Sequence, residues 1–166
     1  DLEGYLFPDT YKMPRRSTAA QLVARMVKGF MLALTPDLIV AADARQLTVR
    51  QVVTLASIVE KETGSPDERP MVAAVYANRL RIGMPLQCDP TVIYALERAG
   101  RYDGNLRRTD LSFDSPYNTY RYAGLPPGPI AAPGRASLDA AANPPDVPYL
   151  YFVSRNDGTH AFTTTL

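Results

Sequence analysis

The chain has 166 residues, a net charge of +1, one cysteine and one histidine. That length suits one compact domain with its own core, while the near-neutral charge excludes the basic footprint of a nucleic-acid binder. No apolar run can span a bilayer, a lone cysteine excludes an internal disulfide, and a lone histidine excludes the usual multi-histidine metal site.

Residues 1–12, DLEGYLFPDTYK, form an apolar, aromatic stretch broken by Pro8 and predict a strand followed by a turn. Thr18 with Gln21 makes a capping box, and Leu22, Val23, Met26 and Phe30 at helical spacing predict a helix over 18–34. Thr35-Pro36 opens a short helix to about Arg45. Thr48 with Gln51 repeats the capping box and starts a helix through Glu62, with Gly64 as its terminator. Ser65-Pro66-Asp67-Glu68 starts another, running to Ile82 and stopped by Gly83. Asp89-Pro90 caps a helix through Arg98.

From 99 to 134 the composition shifts to Gly, Pro, Tyr, Asn and Asp, a length of loop that is usually functional or disordered. Its aromatics argue for an ordered surface. Arg135 to Ala142 predicts a helix ended by Pro144. Tyr149 to Val153 predicts a strand, Asn156-Asp157-Gly158 a turn, and Ala161-Phe162 the returning strand. The fold class is α+β, with helices packed on a small, mostly antiparallel sheet and no internal boundary.

At 100° per residue, Val49, Val53 and Ala56 define an apolar stripe on the helix that follows Thr48, and Glu60 falls on it. Glu62 projects nearly opposite, which predicts one inward carboxylate and one facing solvent. An apolar setting disfavours the charged form of a carboxylate, as a general acid requires. Periodicity by itself still leaves an outward Glu60, paired with an arginine, as the more ordinary reading.

Asp89 before Pro90 reads as a helix N-cap. Gln87 has no evident structural task, which suits a ligand hydrogen bond. Ser115 to Tyr120 mixes flat aromatics with amide and hydroxyl groups, a combination suited to sugars; tyrosines in loops also simply cover core edges. The run LPPGPI at 125–130 fits either a polyproline ligand or the rigid wall of a cleft.

Five segments resemble one family, the endolytic murein transglycosylases of the YceG-like type. They are EGYLFPDTY at 3–11, ASIVEKETG at 56–64, VAAVYANRLRIGMPLQCDPTVIYAL at 72–96, DSPYNTYRYAGLPPGPIAAPGRASLDAAANP at 114–144 and YLYFVSRNDGTHAF at 149–162. The resemblance runs through nearly the whole chain in order, and it implies that Glu60, which opens EKET, is the catalytic acid/base. Gln87, Asp89, Asn118 and Tyr120 fall in segments similar to the family's substrate cleft. Where the family usually has QSDPT, this chain has Cys88 in place of the serine, which puts any hydrogen bond from that position in doubt.

The resemblance implies non-hydrolytic scission of peptidoglycan glycan strands between N-acetylmuramic acid and N-acetylglucosamine, leaving 1,6-anhydromuramoyl ends. It implies no metal or organic cofactor. The chain reads as a fragment of a longer protein anchored by a transmembrane helix, with a LysM-like region before an extracytoplasmic catalytic part. Peptidoglycan synthases, the penicillin-binding proteins, are the implied partners beside the glycan itself. Three rivals stand against this reading: a non-catalytic glycan-binding module, a water-dependent muramidase using Asp89, and a cysteine hydrolase built on Cys88 and His160.

Overall fold

Two capping boxes set the helical frame of the computed structural model, which describes residues 1–166. Gln21 N donates to Thr18 Oγ1 at 3.2 Å and Thr18 N to the Gln21 side chain at 2.9 Å, opening α1, Ala19–Ala33. Thr48 and Gln51 repeat the arrangement at the start of α3, Val49–Glu62. Between them α2, Pro36–Ala44, begins on a proline whose missing N–H lies where no helical partner exists. A 3₁₀ turn at Pro66–Glu68 leads into α4, Arg69–Arg81, and Gly83 at φ +70° turns the chain out of it. Two short helices complete the set: α5, Asp89–Arg98, and α6, Arg135–Ala142.

The centre of the molecule is α3. Every residue from Val52 to Val59 is buried, because α2, α4, α5 and α6 all pack against it. Leu55, Ile58, Val72, Val75, Tyr76, Leu86 and Leu138 fill the space between these helices. Each such apolar side chain contributes roughly 1.5–3 kcal/mol by leaving water. Ala140, Ala141 and Ala142 keep α6 slim where it lies against α3 and α4.

The sheet is a single antiparallel hairpin of β1, Tyr151–Ser154, and β2, His160–Thr163, in the register Tyr151↔Thr163 to Ser154↔His160. Asn156 at φ +62° and Gly158 at φ +87° make its turn, as their residue types predict. The hairpin and its lead-in are tied to α4. Asn78 Nδ2 donates to Val147 O and Tyr149 O at 2.7 and 2.9 Å, Arg79 Nε donates to Leu150 O at 2.7 Å, and the Phe152 ring meets Tyr76 edge-on. The α+β class holds, with the helices packed chiefly on one another and the hairpin at their side.

Two local expectations fail. Residues 1–12 form no strand: Gly4 takes φ +84° and Pro8 offers no N–H, so no ladder can form there. The segment instead lies on the proline-rich loop, so closely that a Cβ on Gly4 would stand 2.5 Å from Pro129. Nor does Gly64 end α3. Thr63 does, by turning extended at φ −130°, ψ 134°.

The stretch 99–134 is ordered by its own polar groups around a 3₁₀ turn at Arg108–Ser112. Its LPPGPI run is a wall rather than a free ligand: Arg50 Nη2 donates to Pro127 O at 2.8 Å and Ile130 N to Ser57 Oγ at 3.0 Å, both from α3. No helix is long and apolar enough to cross a membrane.

Candidate active site

The last turn of α3 carries Glu60 and Glu62 on opposite sides of the helix, and both meet protein because α3 is enclosed. Glu60 lies in polar rather than apolar surroundings. Its Oε2 accepts from Gly134 N at 3.0 Å and Ser137 Oγ at 2.6 Å, and its Oε1 from Arg69 Nη2 at 3.2 Å. Gly134 is the N-cap of α6 and has no side chain to cap it. Glu60 does so from outside, its negative charge at the positive end of the helix dipole. This one carboxylate therefore joins the ends of α3, α4 and α6.

Glu62 does not face solvent, contrary to the periodicity argument. Cys88 Sγ donates to its Oε2 at 3.1 Å. Burial raises the Glu62 pKa above the ordinary carboxylate range, and nearby Asp89 adds to the rise. Hydrogen bonds from Cys88 and Tyr76, with the charge of His160, offset this only in part. Glu62 thus has the environment that was expected of Glu60.

The start of α5 and the loop 115–122 form the rest of the site. Asp89 is the first residue of α5 rather than its cap, which is Cys88. The exposed Asp89 carboxylate accepts from Tyr120 OH at 2.6 Å. Desolvation and that bond push the phenol far above its usual pKa, so it remains a donor. Gln87 is exposed beside them with a left-handed backbone, φ +51°, and its N–H donates to Thr119 O at 3.1 Å. Strain of this kind at a non-glycine residue is common where a side chain is held for function.

Asn118 does not share this surface. It is fully buried, donates through Nδ2 to Leu111 O and Phe113 O at 3.0 and 2.8 Å, and accepts from Tyr120 N at 2.9 Å. A side chain so occupied folds the loop that presents Tyr120. Thr119 docks that loop on α5: its Oγ1 accepts from Cys88 N at 3.0 Å and lies 2.8 Å from Thr91 Oγ1.

The Cys88–His160 hydrolase is not supported. Cys88 is wholly buried and its thiol is held well above the ordinary pKa, first by desolvation and then by Glu62, whereas a nucleophilic cysteine needs an accessible thiolate. His160 turns its Nδ1 to Glu68 Oε2 at 2.7 Å, and its N–H donates to Glu68 Oε1 at 2.8 Å. Periodicity turned Glu62 toward solvent, and nothing in the chain marked Tyr76 or this Glu68–His160 pair. The second glutamate of EKET was the one available signal. The cavities between α2 and α6 and beneath Leu47 are lined by neither Glu60 nor Glu62. The site groups lie outside these cavities, with Glu62 and Tyr120 half-buried and Asp89 and Gln87 exposed.

Comparison with known proteins agrees with this arrangement of segments. The chain is 39% identical to an endolytic murein transglycosylase of Bacillus subtilis (strain 168), over 99% of its own length and 45% of the relative's. It is 36% identical to an endolytic murein transglycosylase of Streptococcus pneumoniae serotype 2 (strain D39 / NCTC 7466), over 92% of this chain and 28% of that one. The chain thus spans less than half the length of these relatives. A crystal structure of a yceG-like protein from Listeria monocytogenes superposes with a TM-score of 0.86 at 40% identity, covering 99% of this chain and 52% of that one. All of residues 1–166 match the YceG-like family, and the chain belongs to it.

Proposed function

We propose that this chain carries the catalytic centre of an endolytic murein transglycosylase, which cleaves the β-1,4 bond between N-acetylmuramic acid and N-acetylglucosamine in peptidoglycan. An acid protonates the glycosidic oxygen as the bond to C1 breaks. The resulting carboxylate takes the proton of the muramoyl C6 hydroxyl, whose oxygen closes on C1. The products are a 1,6-anhydromuramoyl end and a free 4-hydroxyl, and no water is consumed. Because the substrate supplies the nucleophile, one carboxyl suffices where most glycosidases use two.

Two glutamates compete for that role. Resemblance favours Glu60, the first of EKET. The observation that carries our reading favours Glu62: it is desolvated, its pKa is raised, and it stands beside the exposed Asp89 and the half-buried Tyr120. A carboxyl whose pKa is raised holds its proton to higher pH than an ordinary one, as general acid catalysis favours, whereas Glu60 is tied up by Arg69, Ser137 and Gly134. Asp89, Tyr120 and Gln87 are the proposed glycan contacts. Extracytoplasmic action, a membrane anchor outside this segment and peptidoglycan synthases as partners follow from the family reading.

Mass spectrometry of peptidoglycan digested by the wild type, Glu62→Gln and Glu60→Gln tests this. Anhydromuramoyl ends from the wild type and Glu60→Gln, but not from Glu62→Gln, are expected. Loss only in Glu60→Gln would return the role to Glu60. Reducing ends would mean hydrolysis and point to Asp89 as a second carboxylate. Binding without scission by the wild type would leave a glycan-binding module.

A further inference from the structure

Glu62 is faced from every neighbouring element: Tyr76 from α4, Cys88 and Asp89 from the start of α5, His160 from β2, and Tyr120 from the loop beyond. Among these, Cys88 lies in the buried core and directs its sulfur at the Glu62 carboxyl. It is fully buried, its backbone N–H is fixed by Thr119 Oγ1 at 3.0 Å, and its Sγ reaches Glu62 Oε2 at 3.1 Å. Desolvation keeps the thiol protonated, so sulfur is the donor in this contact.

We propose that Cys88 is a positioning residue for the acid: its S–H fixes the Glu62 carboxyl while stabilising the carboxylate less than a hydroxyl would. This rests on the reading of Glu62 as the acid. A thiol is a weak donor, whereas an O–H···O⁻ bond is short, charge-assisted and markedly stronger. A hydroxyl in this place would favour the anion and drain the protonated form that donates to the glycosidic oxygen. Sulfur holds the geometry and leaves the proton on Glu62 to a higher pH.

The chemistry predicts opposite shifts from two small substitutions. With a soluble glycan substrate, the alkaline limb of the kcat/KM–pH profile moves down in Cys88→Ser and up in Cys88→Ala. Titration of the Glu62 carboxyl by carbon NMR gives the same order without relying on turnover. A purely structural role would lower activity in both variants and leave the limb where it was. The inference is overturned by unmoved limbs, or by Ser and Ala variants shifting in the same direction. If Glu62→Gln cleaved normally, the acid assignment would fall on its own account. The NMR order would then still report whether the thiol governs that carboxyl.

Discussion

Glu60 and Glu62 stand two positions apart on one helix and meet opposite chemistry. Three donors converge on Glu60, while Glu62 has a thiol and a phenol in a desolvated corner. Glu60→Gln should therefore act on stability. It loses the Arg69 pair and weakens the cap of α6, which costs about 1–3 kcal/mol in chemical denaturation. Glu62→Gln should leave the denaturation midpoint near that of the wild type and lower glycan cleavage by roughly 10²-fold or more. Asn118 makes a third case. Asn118→Ala strips the carbonyls of Leu111 and Phe113 of their donor, and a cost of about 1–3 kcal/mol is expected. Proteolysis of the loop between 111 and 122 should also quicken, because Asn118 is what folds it.

The hairpin is the element held most by polar contacts. Besides the bonds from Asn78 and Arg79, it is fastened by Glu68, which accepts from both the backbone and the ring of His160. Those two bonds depress the Glu68 pKa below its ordinary value. A depressed carboxyl contributes stability that is present above its unfolded pKa and lost as pH falls through the folded one. Hydrogen exchange in β1 and β2 should accordingly rise in acid below the ordinary carboxylate range. Glu68→Gln should raise it at neutral pH and flatten that acid response. Exchange that remained unchanged in this variant would show that the Asn78 and Arg79 bonds and the Phe152–Tyr76 packing hold the hairpin without Glu68.

For the whole molecule, α3 is both the core and the carrier of the site. Ile58→Ala opens a cavity at its centre and should cost about 2–5 kcal/mol by thermal or denaturant unfolding. Glu62 adds a pH dependence opposite in sign to that of Glu68. Its raised pKa gives a stability contribution that is full below the unfolded carboxylate value and lost as pH rises through the folded one. Activity should decline over that same rise, as the protonated acid disappears. An alkaline limb confined to the ordinary carboxylate range would argue against Glu62 as the acid.

Local chemistry was legible in the chain. The boxes Thr18–Gln21 and Thr48–Gln51, the proline opening α2, Gly83 after α4, and the Asn156–Gly158 turn each act through neighbours within a few residues, so their outcome needs no knowledge of the rest. Long segments in order likewise pointed to the family. What the chain could not reveal is which neighbours surround α3. Periodicity assumes a helix with one wet side, and α3, packed by four others, has none along its middle. The hydrogen-bond partners of Glu60 and Glu62 therefore lie 9–77 residues away. Only the tertiary structure brings Cys88 to Glu62, Ser137 to Glu60 and Glu68 to His160, because hydrogen bonds across such separations exist only once the helices have packed.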